Sequence, residues 1–281
     1  MTDTYIILNE KLLKANEPSI MANNRAFRYG DVLFESMRIV NGKVQFLPEH
    51  IERLKIGMQL LKMEIPSHFN WEYFSVQIKN LTDKNIVGQD ARIRMTIYRN
   101  EGFFYTPLTN EVSFLIEAES INFIGYELNS KGYIIDVFPD LKKSLNILST
   151  IKSSNCLASV LGAIYKKKQN LDECIILNEK GNIAEAISSN IFAVKNGVLY
   201  TPPISDGCVD GIMRKQIIRI AKENKNAVYE VTIAMNVLLG ADELFLTNSI
   251  TGIQWIAAYK GKRYFNTTSK LLVDKLNLSL I

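Results

Sequence analysis

Histidine and cysteine are scarce in this chain of 281 residues: there are two histidines, His50 and His68, and three cysteines, Cys156, Cys174 and Cys208, far apart. So few histidines leave zinc sites and histidine-based triads poorly supported. Three distant thiols show neither metal-ligand spacing nor a disulfide framework. No apolar run reaches the roughly 18 residues that a membrane span needs. Charge of one sign is nowhere massed. The net charge is +4, and clusters such as Lys142-Lys143 and Lys166-Lys167-Lys168 read as solvated faces rather than a nucleic-acid footprint. Internal repeats and low-complexity segments are absent. The opening "MTDTYIILNEKLL" carries an acid at Asp3 and a β-like run, which is not the pattern of a signal peptide.

What remains is the composition of a folded protein, 47% hydrophobic and 22% charged, and it predicts a soluble chain of the cytoplasm. The length suits two modest domains or one large one. The first segment opens with strand-like "TYIILNEKLL". In "RIVNGKVQF" a hairpin is expected, because Asn-Gly accepts the positive φ angles of a tight turn. Pro48 then starts a helix with Ile51, Leu54, Met58 and Leu61 at helical spacing. A helix over "WEYFSVQIKNLTDKN" and strands over "ARIRMTIYRN" and "EVSFLIEAES" complete a small α+β domain over residues 1–120. Residues 121–128 read as a connector, and 129–281 as a larger α/β domain. Its expected order is strand "GYIIDVF", a helix with Lys152 at its front, strand "DECIILNEKG", a single strand "IFAVKNGVLYTPP", and loop "ISDGCVDG". Helix "IMRKQIIRIAKEN", strand "AVYEVTI", helix "MNVLLGA" and strand "DELFLTNS" follow.

Four stretches bear on chemistry. In "STIKSSNCLASVLGAIYKKK" three lysines close an apolar run, where cations suit the end of a helix dipole. Lys152 precedes Leu157, Val160, Leu161 and Ile164, with no local carboxylate partner. A lysine in a buried setting near other positive charge becomes a Schiff-base nucleophile; taken alone, the stretch favours a surface lysine on a frayed turn. "GNIAEAISSNIFAV" places Glu185 and Asn190 just before an apolar strand, where a solvent-facing acid is the plainer reading. "GCVDGIMRKQII" sets Gly207 and Gly211 before an amphipathic helix, whose free N–H groups suit phosphate, although most such glycines only make turns. "LFLTNSITGIQWI" ends a β-run in Thr247, Asn248, Ser249 and Thr251, suited to a phosphate or a carboxylate.

In order along the chain, "FRYGDVLFESMRI", "PEHIERL", "IKSSN", "GNIAEAISSNIFAVKNGVLYTPP", "GIMRKQI" and "ADELFLTNSITGI" resemble the fold-type IV pyridoxal-phosphate enzymes, the class IV aminotransferases. That family includes branched-chain and D-amino acid aminotransferases and aminodeoxychorismate lyases. The resemblance implies a two-domain α/β (α+β) fold of the D-amino acid aminotransferase type, pyridoxal 5'-phosphate as cofactor, and a homodimer with its active site between the domains. It implies that Lys152 binds the cofactor as a Schiff base, that Arg53 contacts its phosphate, and that Glu185 pairs with the pyridine nitrogen. Gly211, Ile212 and Met213 correspond to the helix start that holds phosphate, and Ser249 to a hydroxyl beside it. Tyr29 and Phe34 correspond to the lining of the substrate pocket, and Arg94 and Arg99 to substrate-carboxylate contacts.

The branch is less sharply marked. Leu157 stands where branched-chain enzymes carry a tyrosine, and Glu101 where D-amino acid enzymes carry a histidine. "YGD" at Tyr29 to Asp31 and the Asn248-Ser249 pair look like the lyase and D-amino acid branches, yet the glycine- and arginine-rich loop of well-known lyases is missing after "IYRN". Tyr29, Phe34, Phe103, Phe104 and Trp255 suggest an apolar pocket. The expectation is therefore transfer of an amino group between a hydrophobic or branched-chain amino acid and a 2-oxo acid. The alternative is 4-amino-4-deoxychorismate lyase. Neither nucleic acid nor membrane is expected as a partner.

Overall fold

The structure, a computed structural model, describes residues 4–17, 20–102, 104–123 and 125–280. The chain divides into two compact units. Among the described residues, one comprises those up to Gly125 together with Ile151–Asn155, and the other Tyr126–Thr150 and Cys156–Leu280. The return of Ile151–Asn155 to the first unit has no counterpart in the linear reading.

The first unit is built on an antiparallel sheet. In chain order it holds β1 (Tyr5–Leu8), β2 (Lys11–Lys14), α1 (Arg25–Tyr29), β3 (Val32–Val40), β4 (Lys43–Val44), α2 (Leu47–Leu60), α3 (Trp71–Lys84), β5 (Ala91–Arg99) and β6 (Val112–Ser120). The sheet order is β2-β1-β6-β5-β3-β4. "TYIILNEKLL" is thus two strands joined at Asn9 and Glu10, both at positive φ. The expected hairpin at Asn41-Gly42 is present, with φ of 51° and 78°. β4 is short because α2 begins at Leu47, with Pro48 in its first turn. Alternation along β3 and β5 gives the sheet two faces. Leu33, Met37, Ile93, Met95 and Ile97 are buried with Ile51, Leu54 and Met58 of α2 and Phe74, Ile78 and Leu81 of α3. Phe34, Ser36, Arg94 and Thr96 lie on the opposite face, half-buried.

The second unit carries β7 (Tyr133–Val137), α4 (Leu157–Lys168), β8 (Glu173–Leu177), β9 (Ile183–Ala186), β10 (Asn190–Lys195), β11 (Val198–Thr201), α5 (Ile212–Glu223), β12 (Val228–Glu230), α6 (Met235–Gly240), β13 (Glu243–Asn248), β14 (Gly252–Tyr259), β15 (Lys262–Arg263) and α7 (Thr267–Leu278). Its mixed sheet runs β12-β11-β10-β13-β14-β7-β8-β9, with β15 paired to β14. "IFAVKNGVLYTPP" is two strands and not one. Asn196-Gly197, at φ of 50° and 75°, is a second Asn-Gly hairpin. The core includes Ile175, Ile191, Leu244, Leu246 and Ile256.

Two expectations about the lysine helix are corrected. α4 starts at Leu157, so Lys152 lies outside the helix, five residues before it. The helix is not buried by its apolar stripe either: Leu157, Val160, Leu161 and Ile164 are exposed, and Gly162 is its one buried residue. A Cβ at Gly162 would come within 3.2 Å of Ile187, so α4 seats on its unit through a small-residue face. No helix among the described residues is long and apolar enough to cross a membrane.

Candidate active site

Lys152 is placed by the first unit. Ile151 is buried in that unit's core. The Phe34 N–H donates to Lys152 O at 2.9 Å, the Ser154 N–H donates to Val32 O at 3.3 Å, and Leu33 bridges Ser153. The lysine backbone is therefore laid against β3 as a short antiparallel addition. Its Nζ stands 4.3 Å from the centre of the Phe34 ring, and the Arg94 guanidinium carbon stands 4.0 Å from the same centre. An aromatic face attracts both cations, so amine, ring and guanidinium form one group on the half-exposed face of the sheet.

Arg53, expected as a helix-borne anion contact, is buried on α2 against Glu35 of β3. Its Nε donates to Glu35 Oε1 at 2.8 Å, and its Nη2 pairs with Glu35 Oε2. His50 Nδ1 lies 2.7 Å from Glu35 Oε2. Burial alone would raise the Glu35 carboxyl; the Arg53 charge and the His50 contact outweigh it and bring it down to about 2. Burial pushes His50 down despite Glu35. The consistent state is an ionised Glu35, a charged Arg53 and a neutral His50 donating through Nδ1. Its Nε2 is buried without a partner among the described residues. Glu35 and His50 were missed in the linear reading, although His50 and Arg53 share a helix face three residues apart.

The other candidates in this unit separate. Tyr29 lies under the Arg25 guanidinium at 5.1 Å and against the Tyr105 ring at 5.4 Å. Arg99 does not have the geometry expected of a substrate contact. It is 6% exposed, and it donates to Asp31 at 2.8 Å, to Lys62 O at 3.2 Å, and to Leu61 O and Asn110 Oδ1. That is a structural arginine joining loops. Phe104 is largely exposed, and Phe103 lies outside the described residues.

In the second unit the acid and the helix start meet at one peptide. Glu185 sits on β9, opposite Ile176 of β8, and not in a loop. Its Oε2 accepts the Val209 N–H at 2.8 Å, and its Oε1 is paired with Lys143. Lys143, expected on a solvated face, is drawn inward by that acid. The Val209 carbonyl accepts from Asn190 Nδ2 at 2.9 Å. Asn190 in turn crowds Gly211, where an added Cβ would fall 1.9 Å from Asn190 Oδ1. Gly211 caps α5 with no side-chain hydrogen bond, which leaves the first N–H groups of Ile212 and Met213 for an anion. Beside Asn190, Thr247 pairs in register on β13, and its buried hydroxyl has no partner among the described residues. Asn248 Oδ1 turns back to accept from the Ile250 and Thr251 N–H groups, both at 2.9 Å, and Ser249 O accepts from Tyr126 at 3.0 Å. Trp255 departs from the expected pocket: its Nε1 donates to Asn129 O at 2.7 Å, which fastens it to the segment before β7.

These residues fit a phosphorylated pyridine. Taken by itself, the second unit offers a cradle that only glycine fills, an uncapped helix start, a hydroxyl with no partner among the described residues and a fixed carboxylate; the first unit, taken by itself, offers a lysine and a buried arginine. The likenesses to known proteins agree. The class IV amino-transferase family model matches residues 32–259. A Methanocaldococcus jannaschii protein provisionally named branched-chain-amino-acid aminotransferase is 32% identical over 96% of this chain and 93% of its own length. The D-alanine aminotransferase of Bacillus licheniformis is 25% identical, over 92% of this chain and 89% of its own. The crystal structure of the branched-chain aminotransferase of Thermoproteus uzoniensis with norvaline superposes with a TM-score of 0.88 at 25% identity, covering 98% of this chain and 93% of that one. With the match running from the start of β3 to the end of β14, the chain belongs to the class IV aminotransferases and is a transaminase dependent on pyridoxal 5'-phosphate.

Proposed function

We propose that this transaminase moves the amino group of a branched-chain or other hydrophobic amino acid to a 2-oxo acid. The observation that carries the reading is the Phe34 ring, with the Lys152 amine and the Arg94 guanidinium both close over it. An apolar ring suits an aliphatic side chain, and the guanidinium suits the α-carboxylate of the same substrate. Lys152 Nζ, when not in covalent linkage, is the base that takes the Cα proton and returns one. Bound pyridoxal phosphate supplies the electron sink for the carbanion left at Cα.

Around it, each residue has its own task. Arg53, oriented by Glu35, and the N–H groups of Ile212 and Met213 are the groups that would hold the phosphate, with Ser249 as a further hydroxyl just after β13. Glu185 is the carboxylate that would keep a pyridine nitrogen protonated. Tyr29 and Phe34 present aromatic surface to the substrate. The relatives named for branched-chain substrates support this assignment. We place the enzyme in the cytoplasm as a homodimer, the second subunit covering the apolar stripe of α4.

The test is a donor screen with 2-oxoglutarate as acceptor: leucine, isoleucine and valine against D-alanine, with aminodeoxychorismate assayed separately for lyase activity. Highest kcat/KM with a branched-chain donor is expected. Preference for D-alanine, or release of 4-aminobenzoate without a 2-oxo acid, would overturn the assignment.

A further inference from the structure

Lys143 is a half-buried cation with no part in the roles above. Its backbone is tethered on both sides to the end of β8: its N–H donates to Leu177 O at 2.8 Å, and its carbonyl accepts the Glu179 N–H at 3.0 Å. Asn178, fully buried beside it, holds the following turn by accepting from the Lys180 and Asn182 N–H groups at 3.1 and 3.0 Å. Glu185 is carried by the neighbouring strand β9. Cation and acid are thus brought together by the sheet, with side chains only 20% and 13% exposed. Solvent screens such a pair less than a surface pair. In the same unit Asp210 pairs with Lys215 at 2.6 Å and Arg214 with Glu230 at 2.7 Å.

We propose that Lys143 is a positioning residue for Glu185. It holds one carboxylate oxygen while the Val209 N–H holds the other, so the plane and charge of the acid are set before a pyridine nitrogen arrives. Removing the ammonium leaves Glu185 anchored at one oxygen. The carboxylate then rotates, and its hold on the ring nitrogen weakens even though Glu185 itself is intact. This inference rests on the reading of Glu185 as the partner of that nitrogen.

The experiment is a double-mutant cycle on the full chain stripped of cofactor, with pyridoxamine 5'-phosphate titrated by fluorescence and folding followed by circular dichroism. Lys143→Met is expected to weaken binding about 10- to 100-fold, in the range of a lost charge-assisted contact. Lys143→Arg should restore it to within about threefold, and Lys143→Met should cost little once Glu185→Gln is present. Should Lys143→Met not fold, Lys143→Gln takes its place in the cycle under the same criteria. If Glu185→Gln weakens binding while Lys143→Met does not, or if the two losses simply add, the positioning role is wrong and the Glu185 assignment stands. If Glu185→Gln leaves binding unchanged, the Glu185 assignment fails and takes the positioning role with it.

Discussion

Lys152 reaches its place through its backbone, while its side chain stays half-buried on an open sheet face. Truncating it therefore removes chemistry and little packing. Lys152→Ala is expected to abolish turnover and borohydride-reducible attachment of cofactor, with an unchanged circular-dichroism spectrum; peptide mapping that finds the reduced cofactor on another lysine would refute the assignment. Arg53 differs, being buried against Glu35. Arg53→Ala should weaken cofactor affinity roughly 10- to 100-fold, the effect of one charge-assisted contact. It should change saturated kcat less, because a phosphate contact is remote from the bond changes. The same cluster makes stability depend on pH. Burial holds the His50 pKa below its ordinary 6.5, so the unfolded chain takes up that proton first as pH falls. The contribution of His50 is complete above about 6.5 and is lost as pH drops from there toward the lower folded value. Glu35, at about 2 against an ordinary 4.5, loses its contribution in the same direction below pH 4.5. Melting temperature should fall between pH 7 and pH 5, and His50→Asn, which keeps an N–H donor but cannot titrate, should flatten that fall. An identical slope in the variant would show that other groups cause it.

At the scale of elements, the start of α5 depends on a close approach. Gly211 has an ordinary extended φ of −68°, so its requirement is steric and not conformational. A methyl group there collides with Asn190, which holds the Val209 carbonyl, and Val209 in turn holds Glu185. Gly211→Ala is expected to destabilise the fold by about 1–3 kcal/mol, as overpacking does. It should also weaken cofactor binding, because the helix start and the acid share that peptide. Gly240→Ala is the control: a Cβ at this last residue of α6 meets nothing within 4 Å, and thermal unfolding should be near wild type. Equal Tm values for the two variants would dismiss the steric argument.

At the scale of the molecule, α4 leaves a stripe uncovered. Leu157 is 74% exposed and Ile164 60%, with Ile147 and Leu148 of the same unit also exposed. An exposed apolar stripe such as that of Leu157, Val160, Leu161 and Ile164 on α4 marks an interaction site. If a second copy covers it, Ile164→Glu should shift the sedimentation mass from dimer toward monomer at micromolar concentration while the secondary structure persists. A wild-type dimer that is indifferent to this change would place the interface elsewhere.

The sequence by itself determined the features that depend on near neighbours. Pro48 and the spacing of Ile51, Leu54 and Met58 specify α2. Asn41-Gly42 specifies a hairpin because both residues accept positive φ, and Asn196-Gly197 held the same information inside what reads as one strand. The ordered motifs around Lys152, Glu185, Gly211 and Ser249 were enough to indicate the family. Tertiary structure decided the rest. The turn at Asn9-Glu10 forms because the Asn9 side chain bonds to Ser113 and Phe114 of β6, not because glutamate favours positive φ. Helical periodicity revealed the apolar stripe of α4, but periodicity cannot say whether the chain's own core covers it. Arg99 and Arg94 alternate on one strand, and only the packing made the first a structural tie and left the second beside Phe34. Lys143 and Glu185 are 42 residues apart; their pairing arises where β8 brings two chain segments together, since an ion pair is set by distance in space and leaves no mark in local spacing.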